Sequence, residues 1–179
     1  MDVVTSISPR DESIRTAAGG RTAQNISANG AEFFNHMPAT EVAALLGNRI
    51  WSSYFSFCIE RNPWDKVVSM FFHRLGRRTS ARTLHEFIKS GEFLQARNAE
   101  LYCKDGSPIV TYIGKYEELD VSLNHAYSKI GAAYTGLNTS PKSQFRPILD
   151  NYRDHYSEDL KQDVEQAFQN EIKLHGYQF

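Results

Sequence analysis

The apolar positions of this chain follow a helical period in some stretches and fill both faces of a short strand in others. Apolar residues three and four apart predict helices over 38–46, 63–75, 84–90, 118–130 and about 157–174. Two short apolar runs predict buried strands, at 54–59 and 109–114. Strands alternating with helices favour an α/β fold with a parallel sheet flanked by helices. With only two convincing strands, that sheet is thin for a domain of this size.

Length and composition are those of an ordinary globular protein. The 179 residues predict a single domain, 1–179, in which residues 1–35 are polar and irregular. The formal net charge of −1 supplies no overall field that would attract nucleic acid or an anionic membrane. No stretch has the apolar length of a membrane span, and residues 1–30 lack the apolar core of a signal peptide. These features predict a soluble, cytoplasmic protein with no transmembrane segment and no nucleic-acid partner.

The seam between the first predicted strand and the next helix, residues 60–63, has the sequence Glu-Arg-Asn-Pro. Pro63 suits the first turn of a helix, and Asn62 suits the N-cap before it. Ligands collect at the carboxyl ends of the strands in such folds, and a helix start offers N–H groups to a phosphate. The seam is therefore a candidate anion site.

Arg61 adds a planar guanidinium that can bind two phosphate oxygens at once. Ser69 lies seven residues after Asn62, two helical turns on and on the same face. Arg61, the helix start and Ser69 could thus line one wall of a phosphate site. The alternative is that Arg61 pairs with a nearby carboxylate such as Glu60 or Asp65.

The segment RNPWDKVVS, residues 61–69, resembles the signature of sulfotransferases that use 3′-phosphoadenosine 5′-phosphosulfate (PAPS). In that family the arginine and the serine eight positions later bind the 3′-phosphate of the donor, which implies this role for Arg61 and Ser69. The resemblance to the carbohydrate-type branch extends over roughly residues 30–179. It includes NHMPATEVAALLGNRIWSSYFSFCIERNPWDKVVS, YIGKYEEL and the closing HGYQF.

The resemblance implies a P-loop-like fold and an enzyme that transfers a sulfuryl group from PAPS to a hydroxyl, expected to be on a carbohydrate. It also implies that Tyr116 packs beside the adenine and 3′-phosphate end of the donor. From the residues alone, a core tyrosine with a satisfied hydroxyl is the alternative. Glu117 is interpreted as a helix-start carboxylate rather than a catalyst. Relatives place basic residues near the donor in the loop before the last helix, which points to Arg146 and Lys142.

The phosphosulfate loop of the family, Pro-Lys-x-Gly-[Thr/Ser], has no counterpart ahead of the seam. The only glycine pair there begins Gly-Gly-Arg-Thr at residues 19–22, with no lysine and no preceding apolar strand. The expectation is therefore an incomplete family domain, its carboxyl-terminal two-thirds, without the first strand and this loop. A fragment, a mis-started reading frame and a degenerate paralogue are all compatible with that pattern.

Transfer to a hydroxyl needs a base, and His36 is the candidate, in a loop before the first predicted helix. A cap or surface histidine is the alternative, and Glu32 and Glu41 are weaker candidates for the base. The histidines show no metal-ligand spacing, so no metal site is predicted. One basic patch could bind an anionic glycan or the donor phosphates, although a solvated helix end is the commoner explanation of such a run. The patch consists of Arg74, Arg77, Arg78 and Arg82.

Two other hypotheses stay open. One is a non-catalytic remnant or interaction module that retains only the 3′-phosphate half-site. The other is a different phosphate-binding enzyme that shares the Arg-Asn-Pro seam, which predicts binding of adenine nucleotides without preference for a 3′-phosphate.

Overall fold

The computed structural model describes residues 36–76, 83–137 and 151–179. It is a mixed α/β structure with a small parallel two-stranded sheet flanked by helices. The elements in chain order are α1 (Ala39–Leu46), α2 (Asn48–Trp51), β1 (Phe57–Glu60), α3 (Pro63–Leu75), α4 (Leu84–Lys89), a 3₁₀ turn (Glu92–Ala96), α5 (Ala99–Tyr102), β2 (Cys103–Lys104), β3 (Ser107–Pro108), β4 (Tyr112–Lys115), a second 3₁₀ turn (Tyr116–Glu118), α6 (Leu119–Lys129), a third 3₁₀ turn (Tyr152–His155), α7 (Glu158–Ala167) and α8 (Gln169–His175).

Strands β1 and β4 pair in the parallel sheet, so the α/β prediction is confirmed. Both strands begin about three residues later than the sequence predicts. Tyr54, expected to start the first strand, is 69% exposed beyond the end of α2. Phe57, Cys58 and Ile59 are only partly buried, so the expected complete burial of this strand is wrong.

Local end signals place several helices correctly. Helix α1 follows Pro38 and ends at Gly47, whose φ of 77° is readily adopted only by glycine. Helix α3 begins at Pro63 with Asn62 as its N-cap, as the sequence predicts. Helix α4 begins with a capping box in which Thr83 and Glu86 each bond the other's backbone N–H.

The long helix predicted over 157–174 is wrong as a single element. Helix α7 ends at Phe168, which has φ −108° and ψ 22°, and α8 starts immediately after it. The Phe168 side chain is completely buried, so burial of this ring coincides with the bend between the helices. Ser157 precedes α7 as expected, but its hydroxyl bonds the Asp159 carboxylate instead of a backbone N–H.

The described residues divide into two compact units. The first contains the described residues up to Cys58, together with Glu100–Gly114 and Asp120–Leu137. Strands β2 and β3 form a hairpin within it, and its two-residue turn has positive φ at both Asp105 and Gly106. Among its described residues, five side chains are buried, namely Ala39, Tyr102, Ser122, Ala126 and Tyr127.

The second unit contains the described residues of Ile59–Ala99, Lys115–Leu119 and Asn138–Phe179. Its core is a continuous apolar cluster contributed by α3, α4, the first 3₁₀ turn, α7 and the carboxyl-terminal tail. The helical spacing identifies much of this core correctly. Its buried members are Trp64, Val67, Val68, Phe71, Leu84, Phe87, Ile88, Phe93, Ala96, Leu160, Val164, Phe168 and Tyr177.

Within the described ranges, none of the helices combines the length and the apolar character needed to cross a membrane. That residues 1–179 form one sulfotransferase-like domain stays a prediction.

Candidate functional site

Arg61 follows the last residue of β1 and is held by two neighbours in the second unit. Its Nε donates to Asp65 Oδ2 at 2.6 Å, and the two side chains are 20% and 15% exposed. Its guanidinium carbon lies 4.4 Å from the centre of the Tyr116 ring. Pairing with a nearby carboxylate, the alternative left open by the sequence, is therefore observed with Asp65.

The Asp65 contact uses only one edge of the guanidinium. Within the part of the chain that the structure describes, the two Nη nitrogens of Arg61 donate no hydrogen bond to the protein. These nitrogens form the end of the fork that fits two oxygens of a phosphate or carboxylate. Pairing with Asp65 therefore leaves the phosphate-binding edge of Arg61 unused.

Glu60, the other carboxylate considered for Arg61, has a different side-chain partner. It is 1% exposed and accepts hydrogen bonds from Lys66 Nζ at 2.7 Å and from the Arg61 backbone N–H at 2.9 Å. Lys66 also donates to Asn98 Oδ1 at 2.6 Å and lies 5.3 Å from the Phe168 ring centre. Such a buried, fully bonded pair fixes the end of β1 and the first turns of α3.

Two backbone donors at the start of α3 are occupied by the protein itself. The Asn62 N–H donates to Glu117 Oε1 at 2.6 Å, and the Trp64 N–H donates to Asn62 Oδ1 at 3.1 Å. Pro63 has no N–H to offer. The positive charge available to an anion here therefore comes from the Arg61 side chain rather than from these N–H groups.

Asn62 also connects the seam to the end of the chain. Its Nδ2 donates to the Gln178 carbonyl at 2.9 Å and lies 3.5 Å from the Tyr152 hydroxyl. Asn62 is 8% exposed, so these bonds form largely out of water. We call this set of contacts around Asn62, formed by Trp64, Glu117, Tyr152 and Gln178, the Asn62 hub.

The carboxyl-terminal tail packs on the same region of the second unit. The Phe179 ring meets Trp64 edge-on, with ring centres 5.5 Å apart. The Tyr177 hydroxyl lies 3.4 Å from Glu117 Oε2, and burial and then this carboxylate raise the pKa of the Tyr177 phenol, which therefore stays a hydrogen-bond donor. Three segments that are distant in the chain thus meet here, at 61–69, 115–119 and 175–179.

The Glu117 carboxylate contacts both the seam and the carboxyl-terminal tail. That it is not a catalyst stays a prediction. It lies in the 3₁₀ turn that precedes α6 and accepts from both the Asn62 N–H and the Tyr177 hydroxyl. Both carboxylate oxygens are engaged, so this side chain fixes the seam against the tail.

Ser69 lies on α3 and is partly buried, and its hydroxyl has no hydrogen-bond partner in the ranges that the structure covers. It is four residues after Asp65 and hence shares a helix face with it. Because Arg61 contacts Asp65, the structure brings Arg61 and Ser69 to one face of α3, with the Asp65 carboxylate on the same stripe. That carboxylate would repel a bound phosphate. The spacing of Arg61 and Ser69 along the sequence does not reveal this repulsion.

Tyr116 is 45% exposed, so the alternative that it is a core tyrosine is wrong. One face of its ring carries the Arg61 guanidinium. Contact with the adenine of a donor, implied by the resemblance, stays a prediction.

His36 lies in the first unit, at an exposed turn before α1, with a positive φ of 59°. Pro38, not His36, occupies the cap position of α1. The role of His36 as a base stays a prediction.

In the basic patch, Arg74 is bonded to Glu92 and Gln95 at 3.0 and 2.5 Å, as expected of a solvated helix end. Several other candidates lie outside the described residues, namely Glu32, Arg77, Arg78, Arg82, Lys142 and Arg146.

Sequence reasoning missed Tyr152 and Arg153. Burial raises the pKa of the Tyr152 phenol, with Arg153 acting against it and the carboxylates of Asp65 and Glu117 acting with it. The Arg153 guanidinium stacks on the Tyr152 ring at 4.5 Å. Both residues lie in an irregular polar stretch before α7, where no period or motif marks them.

Among the described residues there is no group of three or more side chains that could hold a metal ion.

Comparison with known proteins gives one informative relative. No family model matches the chain, and no solved structure matches it. A protein of Archaeoglobus fulgidus, described as an uncharacterized protein, is 32% identical over 121 residues. The match covers 63% of this chain and the whole length of the archaeal protein. The chain therefore belongs to the same family as this uncharacterized archaeal protein.

Proposed function

We propose that the chain binds PAPS through its 3′-phosphate at Arg61 and Ser69 and transfers the sulfuryl group to a hydroxyl acceptor on a carbohydrate. The observation that supports this most is the state of Arg61. Its guanidinium is fixed at the carboxyl end of β1, and its Nη edge has no protein partner among the described residues. Ligands of parallel α/β folds bind at this end of the strands.

The residues available fit the 3′-phosphate in type and spacing. Arg61 supplies a paired donor edge and a positive charge, and Ser69 supplies a hydroxyl without a hydrogen-bond partner in the described ranges. Asp65 works against binding through its charge, which offsets part of the attraction that Arg61 exerts on a phosphate. The exposed Tyr116 ring beside Arg61 leaves room for a flat base nearby.

The transfer step needs one further group, a base. The acceptor oxygen forms a bond to sulfur as the bond between sulfur and the bridging phosphate oxygen breaks, and adenosine 3′,5′-bisphosphate leaves. A base removes the acceptor proton, and we assign this role to His36. The P-loop-like arrangement of the sheet belongs to the same proposal, supported by the parallel β1–β4 pair and the helix start directly after β1.

A second candidate function is a non-catalytic module that binds the 3′-phosphate weakly or binds no nucleotide. The occupied backbone donors at the start of α3 and the Arg61–Asp65 pair favour it, because both already satisfy the seam without a ligand. The two candidates differ in whether the Nη edge of Arg61 binds a nucleotide phosphate strongly.

Calorimetric titration of the full chain distinguishes them. The ligands are 3′-phosphoadenosine 5′-phosphate and adenosine 5′-phosphate, with the Arg61→Ala variant beside the wild type. We expect the bisphosphate to bind more tightly, and Arg61→Ala to weaken it by about 10- to 100-fold, the value of one or two charge-assisted hydrogen bonds. Adenosine 5′-phosphate should be affected much less.

Arg74→Ala is the matched control, because Arg74 lies near the far end of α3, about 18 Å of helix axis from the seam, and is likewise bonded to a carboxylate. It removes the same charge and should leave the affinity for the bisphosphate unchanged. Equal affinities of the folded wild type for the two nucleotides would exclude a 3′-phosphate site at Arg61. Absence of binding to either would support the non-catalytic module.

A further inference from the structure

We propose that Tyr116 and Asp65 are positioning residues for Arg61, and that Tyr116 acts on a ligand mainly through the guanidinium rather than as a surface for the base. This inference rests on the proposed 3′-phosphate site. It concerns the conformation of the Arg61 side chain before a ligand binds.

A guanidinium has three ways of making contact, and two of them are used here. Its central carbon lies over the Tyr116 ring, 4.4 Å from the ring centre. Its Nε edge donates to Asp65 at 2.6 Å. The third, the edge formed by the two Nη nitrogens, donates to no residue of the described ranges. The contacts with Tyr116 and Asp65 therefore leave the Nη edge available, and this edge fits two oxygens of a phosphate.

Holding Arg61 in this way lowers the entropic cost of binding. A free arginine side chain has about 2 kcal/mol of rotamer entropy, and part of it is lost when the guanidinium is fixed on a ligand. In this chain the stack on Tyr116 and the bond to Asp65 fix the side chain in advance. The two contacts hold different parts of the side chain, since the Tyr116 ring lies against the guanidinium carbon and Asp65 binds the Nε.

Tyr116 can hold Arg61 because it is itself anchored. It starts the 3₁₀ turn Tyr116–Glu118, whose next residue, Glu117, binds the Asn62 N–H at 2.6 Å. Asn62 directly follows Arg61. The hydrogen bond between Asn62 and Glu117 thus joins the residue after Arg61 to the residue after Tyr116. It keeps Arg61 and Tyr116 close together.

A double-mutant cycle separates this role from a direct contact with the base. Binding of 3′-phosphoadenosine 5′-phosphate is measured by calorimetry for the wild type, Tyr116→Leu, Arg61→Ala and the double variant. We expect Tyr116→Leu to weaken binding about fivefold in the wild-type background and by less than twofold when Arg61 is already alanine. Tyr116→Phe keeps the stack and should bind like the wild type.

A second contrast tests Asp65. Asp65→Asn and Asp65→Ala both remove the charge, but only asparagine keeps an oxygen that can accept from Arg61 Nε. We expect the asparagine variant to bind the bisphosphate a few-fold more tightly than the alanine variant. Equal affinities of the two variants would remove Asp65 from the positioning role.

The outcomes separate this inference from the function on which it rests. If Tyr116→Leu weakens binding equally with and without Arg61, or weakens adenosine 5′-phosphate to the same degree, Tyr116 contacts the base and the positioning role is wrong, while the 3′-phosphate site stands. If the wild type does not prefer the 3′-phosphate, the site and this inference are both overturned. Near-wild-type far-UV circular dichroism of every variant ensures that lost binding is not lost folding.

Discussion

Replacement of Asn62 by alanine tests the Asn62 hub, the set of contacts that holds the seam in place. The change removes the N-cap acceptor of the Trp64 N–H at 3.1 Å and the donor to the Gln178 carbonyl at 2.9 Å. Loss of an N-cap costs about 1 kcal/mol, and loss of one largely buried hydrogen bond costs about 1 kcal/mol more. The Asn62 N–H to Glu117 belongs to the backbone and is kept. We therefore expect Asn62→Ala to lower the free energy of unfolding by about 2 kcal/mol.

Urea unfolding followed by tryptophan fluorescence measures this loss. The chain has two tryptophans, and a Trp51→Phe background leaves Trp64, which is 2% exposed in the second unit, as the reporter. At a slope of about 2 kcal/mol per molar urea, the expected loss moves the midpoint down by about 1 M.

Asn62→Ser is the matched control for the two halves of the effect. Its hydroxyl can still cap the helix but cannot reach the tail as the amide does, so about half of the loss should remain. An Asn62→Ala variant within about 0.5 kcal/mol of its parent, at an unchanged slope, would refute the view that this hub holds the seam and the tail together.

Two further substitutions test the charges behind the seam. Lys66→Ala leaves the 1%-exposed Glu60 without its cation and should lower the free energy of unfolding by about 3 kcal/mol in urea, whereas Lys89→Ala, at an exposed pair with Asp163, should leave the midpoint close to wild type. Burial lowers the pKa of His175, so its contribution to stability is complete above the unfolded pKa of about 6.5 and is lost as the pH falls through the lower folded value. The urea midpoint of the wild type should therefore fall more between pH 7.5 and pH 5 than that of His175→Gln; an equal fall would remove His175 as the cause.

Local sequence signals predicted the parts of the fold that depend on neighbouring residues. An asparagine and a proline in succession fix the start of α3, and the helical spacing of Val67 and Phe71 identifies its buried face. The pairing of Arg61 with Asp65 was among the alternatives, since four residues separate them. In each case the interaction spans about one helical turn, which periodicity and capping rules describe.

Contacts between distant residues could not be predicted in this way. Gln178 and Tyr152 meet Asn62 across 116 and 90 positions, and Glu117 reaches it across 55. No local period encodes these pairings, yet they determine which donors of the seam stay available to a ligand. The bend at Phe168 was not predicted either, because the helical spacing of apolar residues continues through it while its backbone leaves the helix.

Phosphorus NMR of 3′-phosphoadenosine 5′-phosphate gives the most direct test of the central claim, that Arg61 binds a 3′-phosphate. The two phosphorus atoms give separate resonances, so each phosphate reports its own contact with the protein. On addition of the full chain, we predict that the 3′ resonance shifts and broadens more than the 5′ resonance, and that Arg61→Ala abolishes this difference. A shift confined to the 5′ resonance, or a 3′ shift that persists in the folded Arg61→Ala variant, would contradict the account.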